Sequence, residues 1–340
     1  VADELRDRGV AVTWLGTRLG IEAELVPAHD FPICFINIQG LRGKSGIGGK
    51  IKAPFQLLRA VWQSLRVIIK VRPDVILGMG GFASGPGGVA GWIMRKPLVI
   101  HEQNGVAGTT NRILAKIATR VLESFPGSLP RAEHCGNPVR PIISKLAPPE
   151  LRGIGGRKSG IKAQRRLLVL GGSLGAVALN RVIPASVALM TNENRPEILH
   201  QTGHGDLNLT ELDYLNRGIE ANTAAFIDDM AEAYEWADLI VCRAGALTVT
   251  ELTAAGLGAV LIPYPYAIDD HQSVNARLLV DHGAAILIPQ DELNEVALAD
   301  LLTDLLGDAD RLLLMAQAAR RLSRPQATGE IADVCQQVMA

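Results

Sequence analysis

Leu167-Leu168-Val169-Leu170-Gly171-Gly172-Ser173-Leu174-Gly175-Ala176 is the stretch that decides the fold. Four consecutive apolar residues read as a buried strand, the glycines as a tight turn, and the residues after them as the start of a helix. A buried strand that feeds a helix in this way is the building block of a parallel α/β sheet. The turn suits phosphate, because Ser173 and a helix N-terminus offer donors at the positive end of a dipole. It equally suits a plain tight turn in which Ser173 is only the N-cap.

Beyond it, Ile198–Leu199, Ala224–Ile227, Leu239–Cys242, Ala259–Ile262 and Ala285–Ile288 read as further strands with helices between them. From Glu292 to Ala340 the Leu/Ala spacing is helical, with a break at Pro325. On the other side, Pro141–Arg166 carries Pro148-Pro149, several glycines and a basic run without an acid after Glu150, the composition of a linker. Before it, Phe31–Ile38, Val75–Leu77, Leu98–Ile100 and Val121–Leu122 alternate with helical Pro54–Lys70 and Asn111–Thr119. The fold class is therefore α/β: two doubly wound, Rossmann-like domains separated by a cleft, in keeping with a length of 340 residues. The expected division is an N-terminal domain at 1–140, a linker at 141–165, a second domain at 166–323 and a C-terminal helix at 324–340 that packs back on the first domain.

Lys plus Arg number 34 against 35 Asp plus Glu, and a net charge of −1 excludes a global attraction to nucleic acid. Cys34, Cys135, Cys242 and Cys335 lie far apart with no C-x-x-C pair, so neither a disulfide framework nor a zinc knuckle is expected, and a reducing cytoplasm is. Val1–Gly9 (VADELRDRG) is too charged for a signal peptide. Its helical spacing runs through Gly9 into an expected strand at Val10–Leu15, which opens the chain in mid-motif and predicts a strand and turn before Val1. Between Asp74 and Arg95 there are 20 uncharged residues, but seven are Gly and one is Pro86, which predicts a loop between a strand and a helix rather than a membrane span.

Gly78-Met79-Gly80-Gly81-Phe82-Ala83 matches the dinucleotide fingerprint, with Glu102 placed as a ribose-binding acid would be. The glycines and proline at 85–88 are expected to delay the helix, and crowding against the sheet explains them better. In Cys242–Glu251 (CRAGALTVTE), backbone donors at Ala246–Thr248 face a pyrophosphate and Glu251 accepts from ribose hydroxyls, or else Glu251 is a solvated first-turn acid. In Tyr264–Asn275, His271, Gln272 and Asn275 suit sugar hydroxyls, while Asp269 or Asp270 suits an N-cap, as does the Asp228-Asp229 pair. His200 and His204 flank a glycine at a strand end, so no metal is implied. Arg140, in Gly136-Asn137-Pro138-Val139-Arg140, is either an anion ligand or one half of an interdomain salt bridge. The acid-free segment Gly49–Lys70 sets Ile51, Phe55, Leu58, Val61, Trp62 and Leu65 among basic residues, which fits an anionic bilayer surface or an ordinary core-facing helix.

GLRGK (Gly40–Lys44), GMGGFASGPGG (Gly78–Gly88), HEQNGVAGTTN (His101–Asn111), GNPVR (Gly136–Arg140), GGSLGA (Gly171–Ala176), FIDDM (Phe226–Met230) and CRAGALTVTE (Cys242–Glu251) together resemble, in order along nearly the whole chain, the MurG family of bacterial N-acetylglucosaminyltransferases. The resemblance implies a GT-B glycosyltransferase that moves N-acetylglucosamine from UDP-N-acetylglucosamine to the C4 hydroxyl of the muramoyl sugar of lipid I, undecaprenyl-pyrophosphoryl-muramoyl-pentapeptide. The product is lipid II for peptidoglycan, and the place is the cytoplasmic face of the inner membrane. The implied reaction is an inverting displacement without metal or cofactor. The resemblance further implies that Asn104 and Arg140 contact the donor from the first-domain side of the cleft, Ser173 the phosphates, and Ile227 the uracil through its backbone. It assigns the sugar, pyrophosphate and ribose to Ala246, Leu247, Thr248, Val249, Thr250 and Glu251, with Glu251 on the ribose hydroxyls, and the N-acetylglucosamine to Gln272. His271 and Leu174 stand where some relatives carry Gln. The family's first Gly loop, GGTGGH, which carries the proposed base His, is expected before Val1, so the chain as given is expected to bind donor weakly and to turn over poorly. Two other readings are a UDP-sugar 2-epimerase of similar build and a noncatalytic, membrane-associated UDP-sugar-binding protein.

Overall fold

The computed structural model describes residues 1–38, 47–154, 164–172 and 175–339. GLRGK and the Ser173-Leu174 pair lie outside them. The described residues form two compact units, Val1–Pro138 with Gln326–Ala340, and Val139–Pro325.

In the first unit the chain runs α1 (Ala2–Asp7), β1 (Trp14–Gly16), α2 (Glu22–Ala28), β2 (Ile33–Phe35), α3 (Ile47–Val71), β3 (Ile76–Gly78), α4 (Gly81–Ile93), β4 (Leu98–Glu102), α5 (Thr109–Leu114), β5 (Arg120–Glu123) and β6 (Glu133–His134). All its strand pairs are parallel: β1 with β2, and a separate sheet in the order β3-β4-β5-β6. The first strand is shorter than the run Val10–Leu15 suggested, and Val10 and Val12 instead pack as partly buried side chains against the core. Side chains alternate across β4 and β5, so both faces of the sheet are covered. Leu98, Ile100 and Val121 lie in one cluster with Leu114, while Val99 and Leu122 lie in another with Leu5, Ile331 and Cys335.

One expectation is corrected here. The helix after GMGG is not delayed: α4 starts at Gly81 and runs through Pro86. Its glycines are sites of close approach, for a Cβ on Gly87, Gly88 or Gly91 would fall 2.9 Å from Leu15, 2.7 Å from Leu114 or 2.3 Å from Ile76. Packing thus overrides the low helix propensity of glycine. The segment read as either a bilayer-facing or a core-facing helix forms α3, which buries small or polar Ala60 and Ser64 with Ile68 and packs on α4. The stripe that includes Phe55, Leu58 and Trp62 faces outward, at 72, 67 and 50% exposure.

The second unit runs α6 (Pro141–Ser144), α7 (Pro149–Arg152), β7 (Arg166–Leu170), α8 (Val177–Leu189), β8 (Glu197–Gln201), α9 (Leu207–Asn216), β9 (Asn222–Ala224), α10 (Met230–Trp236), β10 (Leu239–Cys242), α11 (Ala246–Ala255), β11 (Ala259–Leu261), α12 (His271–Val280), β12 (Ala285–Leu287), α13 (Glu295–Gly307) and α14 (Ala309–Arg321). The final helix, α15 (Ala327–Gln337), belongs to the first unit and packs on α1. Residues 141–152, read as linker, form two short helices that pack on α10, α11 and α14. Prolines at the first helical positions of α6 and α7 allow this, because no amide hydrogen is needed there.

The six parallel strands lie in the order β12-β11-β10-β7-β8-β9. The order reverses between β7 and β10, and a crevice at the carboxyl ends of such a pair is where sheets of this kind bind ligands. The Gly loop after β7 is folded tightly against the end of β8. Gly171 donates from its amide to the Gln201 carbonyl at 3.1 Å, and a Cβ on Gly175, which has φ +77°, would fall 2.4 Å from the Thr202 carbonyl. Beneath it runs a buried polar chain. Tyr214 bonds His200 Nδ1 at 2.9 Å, His200 Nε2 bonds Asn180 Oδ1 at 3.1 Å, and Asn180 Nδ2 donates to the Thr202 carbonyl and to Asp206, each at 2.9 Å. Because the amide oxygen can only accept, these partners assign the proton to Nε2 and make the phenol the donor to Nδ1. His200 is thus a neutral core residue, not a zinc ligand.

Burial pushes the His200 imidazole down to about 3, whereas in the unfolded chain it titrates near 6.5. The unfolded state therefore binds the extra proton, and stability is full above about pH 6.5 and falls below it by up to about 1.4 kcal/mol per pH unit. Buried His101 is shifted in the same direction, also by desolvation. We expect the melting temperature to drop between pH 7 and 5, and His200→Gln, less stable at pH 7, to lose less over that interval. Equal slopes in the two proteins would contradict this assignment.

Candidate functional site

The carboxyl end of β10 turns through Arg243-Ala244-Gly245 into α11. Gly245 occupies the N-cap without a side-chain bond, so the first amides of this ten-residue helix are not capped from within it. Of the residues the resemblance assigns here, Ala246, Val249 and Thr250 are buried, Leu247 is exposed and Thr248 is half-buried. Thr250 returns its hydroxyl to the Ala246 carbonyl at 2.8 Å, so Val249 and Thr250 form the helix base and do not present side chains to a ligand. Arg243 fixes the turn from below, donating to the Ile262 and Pro263 carbonyls at 3.1 Å each and to Gln290 at 2.6 Å.

Glu251 is the charged centre of this region. Its Oε1 accepts from Arg140 Nη2 at 2.9 Å and Nε at 3.2 Å, while its Oε2 accepts from the Tyr234 hydroxyl at 3.0 Å. The Arg140 side chain is 51% exposed and that of Glu251 17%. Burial, and next the Glu251 charge, push the Tyr234 phenol well above its ordinary value, so it stays a donor. Arg140 precedes α6, and the packing of α6 on α10 and α11 brings it here. It therefore lies in the second unit, whereas the resemblance implied the first-domain side. The salt bridge it forms lies within one unit and not between the two, which corrects the interdomain pairing expected for it.

Gln272 lies in the first turn of α12, and its Oε1 accepts the Tyr264 amide at 2.9 Å. Ile227 is half-buried, beyond the end of β9, which stops at Ala224 and not at Ile227 as the apolar run suggested. Asn275 is fully buried and donates to the Ala244 carbonyl at 3.2 Å, which removes it from the candidate sugar ligands. Asp229 caps α10 by accepting from the Glu232 amide at 2.9 Å. Asp270 takes the N-cap position of α12 with φ 50°, but its carboxylate accepts from Ser273 Oγ at 2.7 Å. Ser173 lies outside the described residues.

In the first unit, Asn104 follows β4 and is half-buried, with its amide 3.0 Å from Glu102 Oε1. Glu102 is buried and occupied inward, accepting at Oε2 from the Gly108 amide at 3.1 Å and from Asn111 Nδ2 at 2.8 Å. It therefore organises the loop that carries Asn104 and does not meet a ribose, which removes the dinucleotide reading. Its register neighbour on β5, Glu123, does the same for the next loop through Gly127, Ser128 and Leu129. His101, one residue before Glu102 on β4, donates from Nε2 to the Gly136 carbonyl at 2.9 Å. The residue that sequence reasoning missed is Tyr234: in a helical stretch it reads as one more core aromatic, and nothing in its spacing points to Glu251. Among the described residues no group of three His, Cys, Asp or Glu is arranged to hold a metal ion.

Residues 1–123 match the glycosyltransferase family 28 N-terminal domain, and residues 166–333 match its C-terminal domain. The chain is 51% identical over 337 residues to the UDP-N-acetylglucosamine–N-acetylmuramyl-(pentapeptide) pyrophosphoryl-undecaprenol N-acetylglucosamine transferase of Alkalilimnicola ehrlichii, covering 98% of this chain and 93% of that protein. It is 50% identical to the protein of the same name from Nitrosococcus oceani, covering 99% and 93%. The crystal structure of Acinetobacter baumannii MurG superposes with a TM-score of 0.85 at 37% identity, covering 99% of this chain and 94% of that one. The chain belongs to the MurG family of N-acetylglucosaminyltransferases, with the two glycosyltransferase family 28 domains of a GT-B fold.

Proposed function

We propose that this protein transfers N-acetylglucosamine from UDP-N-acetylglucosamine to the muramoyl C4 hydroxyl of lipid I, forming lipid II. The observation that carries the reading is the cluster of Arg140, Glu251 and Tyr234 beside the uncapped start of α11, at the reversal of the strand order. An uncapped helix start offers amides and a positive dipole end to a diphosphate. The exposed guanidinium of Arg140 is suited to two phosphate oxygens, and Glu251 to ribose hydroxyls. As the sugar leaves UDP, charge develops on the diphosphate, and fixed donors at that place lower the barrier without rearranging. Asn104, held by Glu102, and Gln272, tied to the Tyr264 loop, complete the donor contacts in this reading, with Ile227 offering its backbone to the base and Ser173 its hydroxyl to phosphate.

We also propose that the protein works at an anionic bilayer surface through α3. No helix among the described residues is long and apolar enough to cross a membrane. The outward stripe of Phe55, Leu58 and Trp62, with Arg66 stacked 3.5 Å over the Trp62 ring, supports attachment to a membrane face. Exposed Arg59 and Lys70 add charge of the same sign.

Given UDP-N-acetylglucosamine with a labelled sugar and a lipid I analogue, the protein is expected to carry label into the lipid. Interconversion of free UDP-sugars without lipid labelling would favour the 2-epimerase reading and overturn this one. Arg140→Ala and Glu251→Gln are each expected to weaken UDP-N-acetylglucosamine binding by about 1–3 kcal/mol, the range for a charge-assisted hydrogen bond. Unchanged affinity in both, measured by calorimetry, would remove this pocket as the donor site. In flotation with vesicles containing anionic lipid, the combined change Phe55→Ser, Leu58→Ser and Trp62→Ser is expected to abolish most binding while leaving donor affinity intact.

A further inference from the structure

The two partners of Glu251 compete for it. A guanidinium and a carboxylate unopposed favour a fork in which two N–H groups meet two oxygens. Here they do not form it: Nε and Nη2 of Arg140 both address Oε1, at 3.2 and 2.9 Å, because Oε2 is held by the Tyr234 hydroxyl at 3.0 Å. Tyr234 cannot yield easily. It is 1% exposed, on α10, and its carbonyl accepts from Arg152 Nη1 at 2.9 Å. The other guanidinium nitrogen, Nη2, takes the carbonyls of Ala255 at 2.6 Å and Gly256, at the end of the helix that carries Glu251. Arg152 thus ties together the carboxyl ends of α10 and α11, where a cation is favoured by the helix dipoles. The separation between phenol and carboxylate is set by these two helices, which share one clamp.

We propose that Tyr234 is a positioning residue that makes the site selective for a ribonucleoside diphosphate: by occupying Oε2 it restricts Arg140 to Oε1 and fixes the plane of the Glu251 carboxylate toward vicinal ribose hydroxyls. A carboxylate oxygen has two lone pairs, so Oε2 accepts the phenol and keeps one direction for a sugar hydroxyl. Without the phenol, the carboxylate is free to turn into the fork with Arg140, and both groups then face each other instead of the nucleotide. The inference rests on the reading of Glu251 as the ribose contact.

Tyr234→Phe removes one oxygen and preserves the ring, and a melting curve checks that the fold is kept. UDP and 2′,3′-dideoxyuridine diphosphate are the probes, because they differ only in the two hydroxyls concerned. In the parent protein UDP is expected to bind more tightly than the dideoxy compound. In Tyr234→Phe we expect UDP affinity to fall about tenfold, as for loss of one charge-assisted contact, while dideoxy affinity stays within about twofold, so that the preference for ribose collapses. KM for UDP-N-acetylglucosamine is expected to rise in step, with kcat little changed. Equal weakening of both probes would show a role in packing alone and overturn the proposal, as would unchanged UDP affinity. Glu251→Gln separates the two levels. If it lowers UDP affinity while Tyr234→Phe does not, only the role of Tyr234 fails; if Glu251→Gln leaves the preference for ribose intact, the ribose reading fails and this proposal with it.

Discussion

Two strands, β7 and β10, lie side by side in parallel register, Val169 opposite Val241, while the remaining strands build outward from them in opposite directions. A parallel strand sends its chain out at the same end as its neighbour, so the turns after β7 and β10 must emerge together where the order reverses. Everything at the site follows from that constraint. The Gly loop and the start of α11 share one edge of the sheet because they could not share any other place. The buried chain from Tyr214 to Thr202, the Arg243 clamp and the Asn275 amide then hold these turns from beneath, each satisfying backbone groups that would otherwise be left unpaired on the sheet's rim.

Much of this was legible in the residues. Buried parallel strands are continuous apolar runs, and Leu167–Leu170, Leu239–Cys242 and Leu98–Ile100 were found where such runs occur. Reading failed where tertiary contact outvoted local preference. The glycines of α4 look like a loop until Leu15, Leu114 and Ile76 are seen pressing on the positions where a Cβ would stand. The outward stripe of α3 has the same spacing as an inward one, so periodicity locates the stripe and cannot say which side is wet. Residues 141–152 have the composition of a linker, yet Arg152 is half-buried in the second unit with three backbone carbonyls as partners.

The candidate site shows the same division. Glu251 and Arg140 carried recognisable chemistry in recognisable strings, and their pairing sets Arg140 beside a carboxylate of its own unit. Tyr234 carried none, because its importance lies in a single oxygen 17 residues away along the chain. Glu102 was misleading for the opposite reason: an acid at a strand end has the right address for a ribose, but the loop that follows turns its amides back onto it. A carboxylate's address is legible in sequence; the direction from which its donors come is not.

The return of α15 to the first unit has a consequence for synthesis on the ribosome. Ile331, Ala332 and Cys335 are buried in the same cluster as Leu5, Val99 and Leu122, so that cluster cannot close until the last helix has left the exit tunnel. All of the second unit lies between these segments and emerges earlier, free to fold as a block. Of these two units, the one whose synthesis begins earlier is therefore completed later, and its core stays half-built while the other folds.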